Sequence, residues 1–158
     1  MKLIAILAVA ALASPCLAQT GSGAASSAEV FSGKDVAAQL ATLAQTAKGP
    51  GSSGATLGDY KSHSIKLSVR TTSGGAEVHA HYDDIFVVTG GTATLITGGT
   101  VVDAKTGADG ETKGVSIENG KSQTITKDDI VHIPAGTPHQ LIIPPGTTYS
   151  SIVVKVRE

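Results

Sequence analysis

The sequence predicts an all-β fold, an antiparallel β-sandwich or barrel, with one helix in front of it. Two observations support this prediction. From His63 onward, short runs rich in Val, Ile and Thr recur and are separated by Gly, Asp or Pro turns, a spacing typical of sandwiches and barrels. Before that point, residues 32–48 carry apolar side chains at helical intervals. A chain of 158 residues suits one such domain.

The amino-terminal segment is predicted to be a secretory signal peptide spanning residues 1–18. Lys2 precedes an unbroken small and apolar run, Leu3–Ala13, and Ala18 supplies the small residue before the cut. The run is too short to span a bilayer, which needs about 20 apolar residues. An alternative is lipid attachment at Cys16, although Pro15 directly before it fits such a site poorly. We therefore expect a secreted or periplasmic protein.

Residues 19–55 are expected to form a tether and the helix. Gly21–Ala28 is too poor in apolar residues to pack and is predicted to be a flexible tether. Ser32 is a candidate helix cap with Asp35 three residues later. Gly49 and Pro50 should end the helix, since proline cannot continue it. Residues 51–55 are expected to be a second flexible link, and residues 56–158 the β-domain.

Ten segments are predicted to be strands: HSIKLSVR, AEVHAH, DIFVVT, TATLIT, TVVDA, VSIE, SQTITK, DIVHIP, HQLIIP and YSSIVVKVR. Thr-Gly-Gly-Thr occurs twice, at residues 89–92 and 97–100. Neither copy is followed by a lysine or by a helix, as a phosphate-binding loop would require, so both are predicted to be hairpin turns. The apolar residues of these segments are expected to form the core rather than a ligand site: Ile125, Ile130, Ile133, Leu141, Ile143, Ile152 and Val154.

The composition restricts the class of partner. The formal net charge is −1 and no long basic run occurs, whereas nucleic acid or an anionic membrane would require a clustered positive patch. Cys16 is the single cysteine, so the mature protein would have neither a disulfide nor a thiolate ligand. We expect a small molecule or an ion as the partner.

The histidines suggest a metal site. In the predicted strand Ala76–His81, side chains alternate between the two faces, so Glu77, His79 and His81 should project to the same side. Two imidazoles two residues apart on a strand can hold one ion. The alternative is a solvent-facing polar strand edge.

Two segments around these histidines resemble the two signature motifs of the cupin superfamily. The first motif is a glycine, His-x-His, an acid three or four residues later, and a glycine after six more; His79 and His81 match the histidine pair. The second is Pro-x-Gly-x-x-His, matched by Pro134, Gly136 and His139. Both motifs occur in order, and the resemblance covers roughly residues 62–156.

The resemblance implies a cupin-like antiparallel β-barrel (a jelly roll) that holds a divalent metal ion, Fe, Mn, Zn, Ni or Cu, and that often forms a homodimer. The implied ligands are His79, His81, His139 and an acid. Only two residues separate His81 from Asp84, which departs from the family spacing. Asp84 has six residues between itself and Gly91 and is the candidate, while Asp83 stands in the same relation to Gly90.

Other polar residues are candidates for the surroundings of the metal. Glu77 could act as an acid or base, or orient a ligand imidazole, or it could be an exposed strand-end residue. His132 is expected at the surface rather than in the pocket. Arg70 would pair with an anionic substrate if it faced inward, but the sequence favours an outward, solvated arginine.

Three functions remain open on this evidence. The first is a metal-dependent enzyme acting on a small molecule, with dioxygenase chemistry leading and lyase, isomerase or decarboxylase chemistry next. The second is a non-catalytic extracellular module that binds a metal or a small ligand. The third is a structural or storage role, against which the retained histidines argue. A shared scaffold does not identify a substrate.

Overall fold

The computed structural model describes residues 27–158. The predicted signal peptide and Cys16 lie outside these residues. Helix α1 spans Gly33–Ala47, and Ser32 caps it as predicted. The Ser32 hydroxyl accepts a hydrogen bond from the Asp35 amide at 3.1 Å and donates one to the Asp35 carboxylate at 2.7 Å, which satisfies a free amino-terminal N–H of the helix. No helix among the described residues is long and apolar enough to cross a membrane.

Thirteen strands follow the helix within the described residues. Their bounds are β1 Ser52–Asp59, β2 His63–Arg70, β3 Ala76–His79, β4 Tyr82–Gly90, β5 Thr92–Thr97, β6 Thr100–Val102, β7 Lys105–Thr106, β8 Glu111–Gly114, β9 Ser116–Glu118, β10 Lys121–Thr126, β11 Ile130–Ile133, β12 His139–Ile142 and β13 Tyr149–Arg157. Each of the ten predicted strands is present. The predicted flexible link at 51–55 is wrong, because Ser52 begins a strand that pairs with β2 along its length.

The strands form two main sheets and one small one. The first sheet has the order β1-β2-β13-β4-β11, the second β10-β5-β12-β3-β8-β7, and β6 pairs with β9 alone. Every pairing is antiparallel. The two sheets face each other without closing into one continuous barrel, and this is the predicted jelly roll with an amino-terminal helix.

Both Thr-Gly-Gly-Thr segments are turns, but neither closes a hairpin. Gly91 lies between β4 and β5, and Gly98 and Gly99 lie between β5 and β6. All three glycines have positive φ, a conformation that other residues adopt only at a cost. Each turn carries the chain from one sheet to another. The predicted hairpins are therefore wrong in topology, although the turns are confirmed.

The main core lies between the two large sheets. Its buried members are Phe86, Val88, Ala93, Leu95, Ile125, Ile133, Leu141, Ile143 and Tyr149. Four of the seven predicted core residues belong to this cluster. Ile130 instead has 74% of its surface exposed, and Ile152 and Val154 are half-buried, because these side chains point to the outer face of the first sheet.

Candidate metal centre

Four ionisable side chains converge where the two sheets face each other. Glu77 and His79 lie on β3, His139 begins β12, and Asp84 lies on β4 in the opposite sheet. Ligating atoms of Glu77, His79 and His139 all lie within 4.8 Å of one another. The Asp84 Oδ2 atom is 3.3 Å from His79 Nε2 and 3.8 Å from His139 Nε2. We call these four residues the metal cluster.

Each imidazole is oriented by a partner on its far side. His79 Nδ1 makes a short contact with the Glu111 carboxylate of β8. His139 Nδ1 donates to the Thr137 carbonyl at 3.0 Å. Both Nε2 atoms are thereby directed toward Asp84. A second hydrogen bond of this kind is usual for metal-binding histidines, since it fixes the ring and its tautomer.

Asp84 is shared between the histidines and a lysine. Its side chain is almost fully buried, and its Oδ1 atom accepts from Lys155 Nζ on β13 at 2.5 Å. Burial favours the neutral acid, but the hydrogen bonds from His79 and Lys155 outweigh it and lower the pKa of Asp84. The carboxylate is therefore ionised at neutral pH and offers Oδ2 to the cluster.

The two imidazoles differ in their electrostatics. Burial disfavours the imidazolium form of both. For His79 the hydrogen bonds that its ring donates to Asp84 and Glu111 outweigh burial, and its pKa is raised above the usual value. For His139 burial dominates and its pKa is lowered. In the metal-free protein, the imidazolium form is thus more favoured at His79 than at His139.

The second sequence motif is tied directly to the first. Gly136 has φ of 75°, and its amide donates to the His79 carbonyl at 2.8 Å. Asp83 accepts from the Ala135 amide at 2.7 Å and pairs with His132 at 3.0 Å. Asp83 therefore holds the loop that delivers His139, while Asp84 alone of the two acids faces the cluster.

His81 lies outside the metal cluster. The predicted strand Ala76–His81 ends at His79, and His81 is an exposed residue of the turn that leads into β4. Its ring lies against Gly110. Alternation along a strand therefore places Glu77 and His79 on one face, as predicted, but does not extend to His81.

The spacing of the first motif fits the cupin pattern when it is read two residues earlier. Four residues separate His79 from Asp84, and six more separate Asp84 from Gly91. His79 then occupies the position of the second histidine, and Glu77 that of the first. The short spacing from His81 to the acid was the sequence signal for this register.

A cavity of about 260 Å³ adjoins the cluster. Glu77, His79, Asp84 and His139 contribute to its wall, and Arg70 lines it as well. The expectation that Arg70 points outward is therefore wrong. The volume lies below the usual range for drug-sized ligands, roughly 300–1,000 Å³, and suits a compact molecule.

The donor set fits a divalent metal ion. Glu77, Asp84 and Glu111 place three carboxylates around the two imidazoles, and Lys155 is the cation that pairs with one of them. A divalent cation would take the two Nε2 atoms and the Asp84 Oδ2 atom, which Lys155 leaves free. Two imidazoles with one carboxylate are the ligands of non-haem iron(II) sites and of some zinc sites. No thiolate is available among residues 27–158.

Two members of this arrangement were not anticipated from the sequence. Glu111 lies on β8, a short polar strand without apolar alternation. Lys155 could have been found, since alternation along β13 places it on the same face as Ser151 and Val153, which line the cavity.

Comparison with solved structures shows the fold. A conserved protein with a double-stranded β-helix domain from Klebsiella pneumoniae superposes with a TM-score of 0.57 at 14% identity, covering 83% of this chain and 91% of that one. A polyketide cyclase from Streptomyces resistomycificus superposes with a TM-score of 0.50 at 18% identity, covering 68% of this chain and 66% of that one. A DMSP lyase from Ruegeria pomeroyi superposes with a TM-score of 0.50 at 13% identity, covering 68% of this chain and 47% of that one. The chain thus spans less than two thirds of the cyclase and the lyase.

Comparison with sequences gives a different family from the one the motifs resemble. A search of the curated proteins found no match. The model of the archaeal-type flagellin family matches residues 2–157, a range that includes the apolar amino-terminal segment. The cupin resemblance is confirmed for the fold, where the neighbours are jelly rolls. On the family match, which covers nearly the whole sequence, the chain belongs to the archaeal-type flagellin family, and its described residues have the double-stranded β-helix fold typical of cupins.

Proposed function

We propose that this protein is an exported, metal-dependent enzyme that acts on a small molecule. One observation carries the proposal: two imidazole Nε2 atoms and two carboxylates from both sheets converge at the wall of a compact cavity. Buried polar groups that have no further role are costly to a fold. A metal ion is the partner that would satisfy this set.

Glu77, His79 and His139 are the proposed ligands, with Asp84 completing the set. The side chain of Glu77 is 36% exposed, and its Oε2 atom is 3.9 Å from His79 Nε2. Glu77 can therefore either bind the metal or take a proton from a substrate in the cavity. Glu111 and the Thr137 carbonyl hold the imidazoles, and Lys155 keeps Asp84 ionised.

Dioxygenase chemistry is the leading reaction class, with lyase, isomerase or decarboxylase chemistry next. Two histidines and up to two carboxylates would leave open positions for a substrate and dioxygen on an ion that takes six ligands. A bound iron ion would supply one-electron chemistry toward dioxygen, whereas zinc or manganese would polarise a carbonyl group. The residues of the chain supply the orientation, the charge and a site for a transferred proton.

Elemental analysis of the purified protein tests the proposal. We expect one Fe, Mn, Zn, Ni or Cu ion per chain, and loss of that ion in His139→Ala. His63→Ala is the matched control, because His63 stacks on Tyr60 away from the cavity and should keep the metal. No metal in the wild-type protein, even after reconstitution with each ion, would contradict the proposal.

Glu77→Gln separates its two roles. If Glu77 is a ligand, the amide variant should lose metal. If it is an acid or base, the variant should keep the metal and lose turnover. The identity of the metal selects the assay: oxygen consumption for iron or copper, and lyase, isomerase or decarboxylase screens for the others.

The family match favours a second candidate, a structural subunit. Flagellin, as the matched family is called, denotes a component of a filament. Electron microscopy and sedimentation of the mature protein discriminate the two. Filaments that form equally well from wild type and His139→Ala, without metal, would favour the structural role.

A further inference from the structure

The wall of the cavity carries two cations that the metal cluster does not use, the exposed Lys66 and the half-buried Arg70. Arg70 ends β2, is half-buried and lines the cavity. Lys155, another cation of the wall, is paired with Asp84. Among residues 27–158, Arg70 has no hydrogen-bond or ion-pair partner, so its guanidinium keeps all five donors available.

The register places Arg70 at the end of the cavity away from the cluster. Ser64 lies level with Lys155, and Lys155 lies level with Asp84, whereas Arg70 is six residues further along β2 and opposite Tyr149. The Arg70 guanidinium itself lies beside Gly74, three residues before Glu77, and three residues of extended chain span about 10 Å. A molecule in the cavity would therefore meet Arg70 with one part and the cluster with another.

The surroundings of Arg70 accommodate its guanidinium at the cavity wall. A Cβ atom on Gly74 would lie 2.6 Å from the Arg70 guanidinium, so glycine at this position makes space for the group. Tyr149 lies opposite Arg70 across the two strands, but it is fully buried and does not line the cavity. A ligand in the cavity would therefore meet Arg70 and not the Tyr149 hydroxyl.

We propose that Arg70 is the site at which the substrate's carboxylate binds, so that the protein acts on small organic acids. This inference rests on the proposed function, because it names the class of molecule that the same cavity takes. A guanidinium pairs with a carboxylate through two parallel hydrogen bonds.

Binding of hexanoate and of its neutral counterpart hexanamide, measured by calorimetry on EDTA-treated protein, tests the inference without metal. Hexanoate should bind the wild type at least tenfold more tightly than hexanamide. In Arg70→Gln this preference should disappear, since hydrogen bonds to a charged group contribute about 1.5–3 kcal/mol, or roughly 10- to 150-fold. Lys127→Gln, at an exposed cation outside the cavity, should bind hexanoate as the wild type does.

Other variants keep the test independent of folding. Arg70→Lys retains the charge but loses the paired geometry and should weaken hexanoate binding severalfold. Circular dichroism shows whether each variant is folded. Equal hexanoate affinity in wild type and Arg70→Gln, no preference over hexanamide, or no binding of either would overturn the inference. Hexanoate binding in a protein that takes no metal would overturn the proposed function alone.

Discussion

Replacing His81 with alanine, beside His79 with alanine, tests which histidine belongs to the metal cluster. His81 is exposed in the turn after β3, and His79 is buried between Glu111 and Asp84. His81→Ala removes a side chain from the surface, where substitutions usually change the free energy of unfolding by less than about 0.5 kcal/mol. We expect its metal content to equal that of the wild type.

His79→Ala should lower both the free energy of unfolding and the metal content. Asp84 has 3% of its surface exposed and would lose a hydrogen-bond partner while keeping Lys155. Leaving a buried acceptor unsatisfied costs about 1–3 kcal/mol, and the missing imidazole leaves a void as well. The metal-free variant should therefore be less stable by at least about 1 kcal/mol, and its metal content should fall sharply.

Two measurements decide between the registers. Elemental analysis gives the metal per chain, and urea unfolding with and without EDTA gives the free energy of unfolding of the holo and metal-free proteins. EDTA should destabilise the wild type and His81→Ala by the same amount and leave His79→Ala unchanged. Loss of metal in His81→Ala would refute the shifted register and return His81 to the ligand set.

Three further outcomes follow from the same contacts. Glu111→Gln should reduce metal affinity about 10- to 100-fold, since partners that orient metal-binding histidines typically contribute that much, and competition with a metal indicator measures it. Asp84→Asn should weaken metal binding more than Asp83→Asn, because only Asp84 faces the two imidazoles. Titration of both variants with zinc compares their metal affinities. A larger loss of affinity in Asp83→Asn would make Asp83 the ligand. Metal affinity should rise as the pH passes through the raised pKa of His79 and level off above it, because the ion must displace the proton of the His79 imidazolium. A metal affinity that stays constant between pH 5 and 8 would contradict this prediction.

The fold was largely predictable because hydrophobic burial leaves a periodic trace in the sequence. Strands β2 and β5 occur with the predicted bounds, since Val, Ile and Thr alternate with polar residues there. The missed strands β1, β7 and β8 are rich in Ser, Gly, Thr and Lys and show no such alternation. Their conformation follows from pairing with a neighbouring strand, which a local pattern does not reveal.

The site was predictable in its location but not in its full membership. Alternation along β3 correctly places Glu77 and His79 on one face, and it fails at His81 because the strand ends first. The spacing from His79 to Asp84, and from Asp84 to Gly91, indicates that His79 and not His81 is the second histidine position of the motif. A histidine pair is easy to match to a motif by its residue types alone. The distance from the histidine to the following acid depends on where the strand ends, so it constrains more strongly which histidine can lie beside that acid.

The donor set of the site could not be obtained from any single segment. Glu111 and Lys155 approach the cluster from strands that are 32 and 71 residues away from His79 and Asp84, respectively. The set of imidazole and carboxylate donors appears only when these segments are brought together, and it is the physical reason to expect a bound cation.

The electrostatics of the cluster also bear on the choice between an enzyme and a structural subunit. Apolar residues of similar size would often stabilise a buried position as well as, or better than, ionised groups do. A purely structural jelly roll gains nothing from placing Asp84, His79 and His139 in the wall of a cavity. The neighbouring core shows that this chain can fill such positions with Phe86, Ile133 and Leu141. Retaining a buried, ionisable cluster beside an open volume is therefore better explained by a bound ion and a ligand than by the needs of the fold.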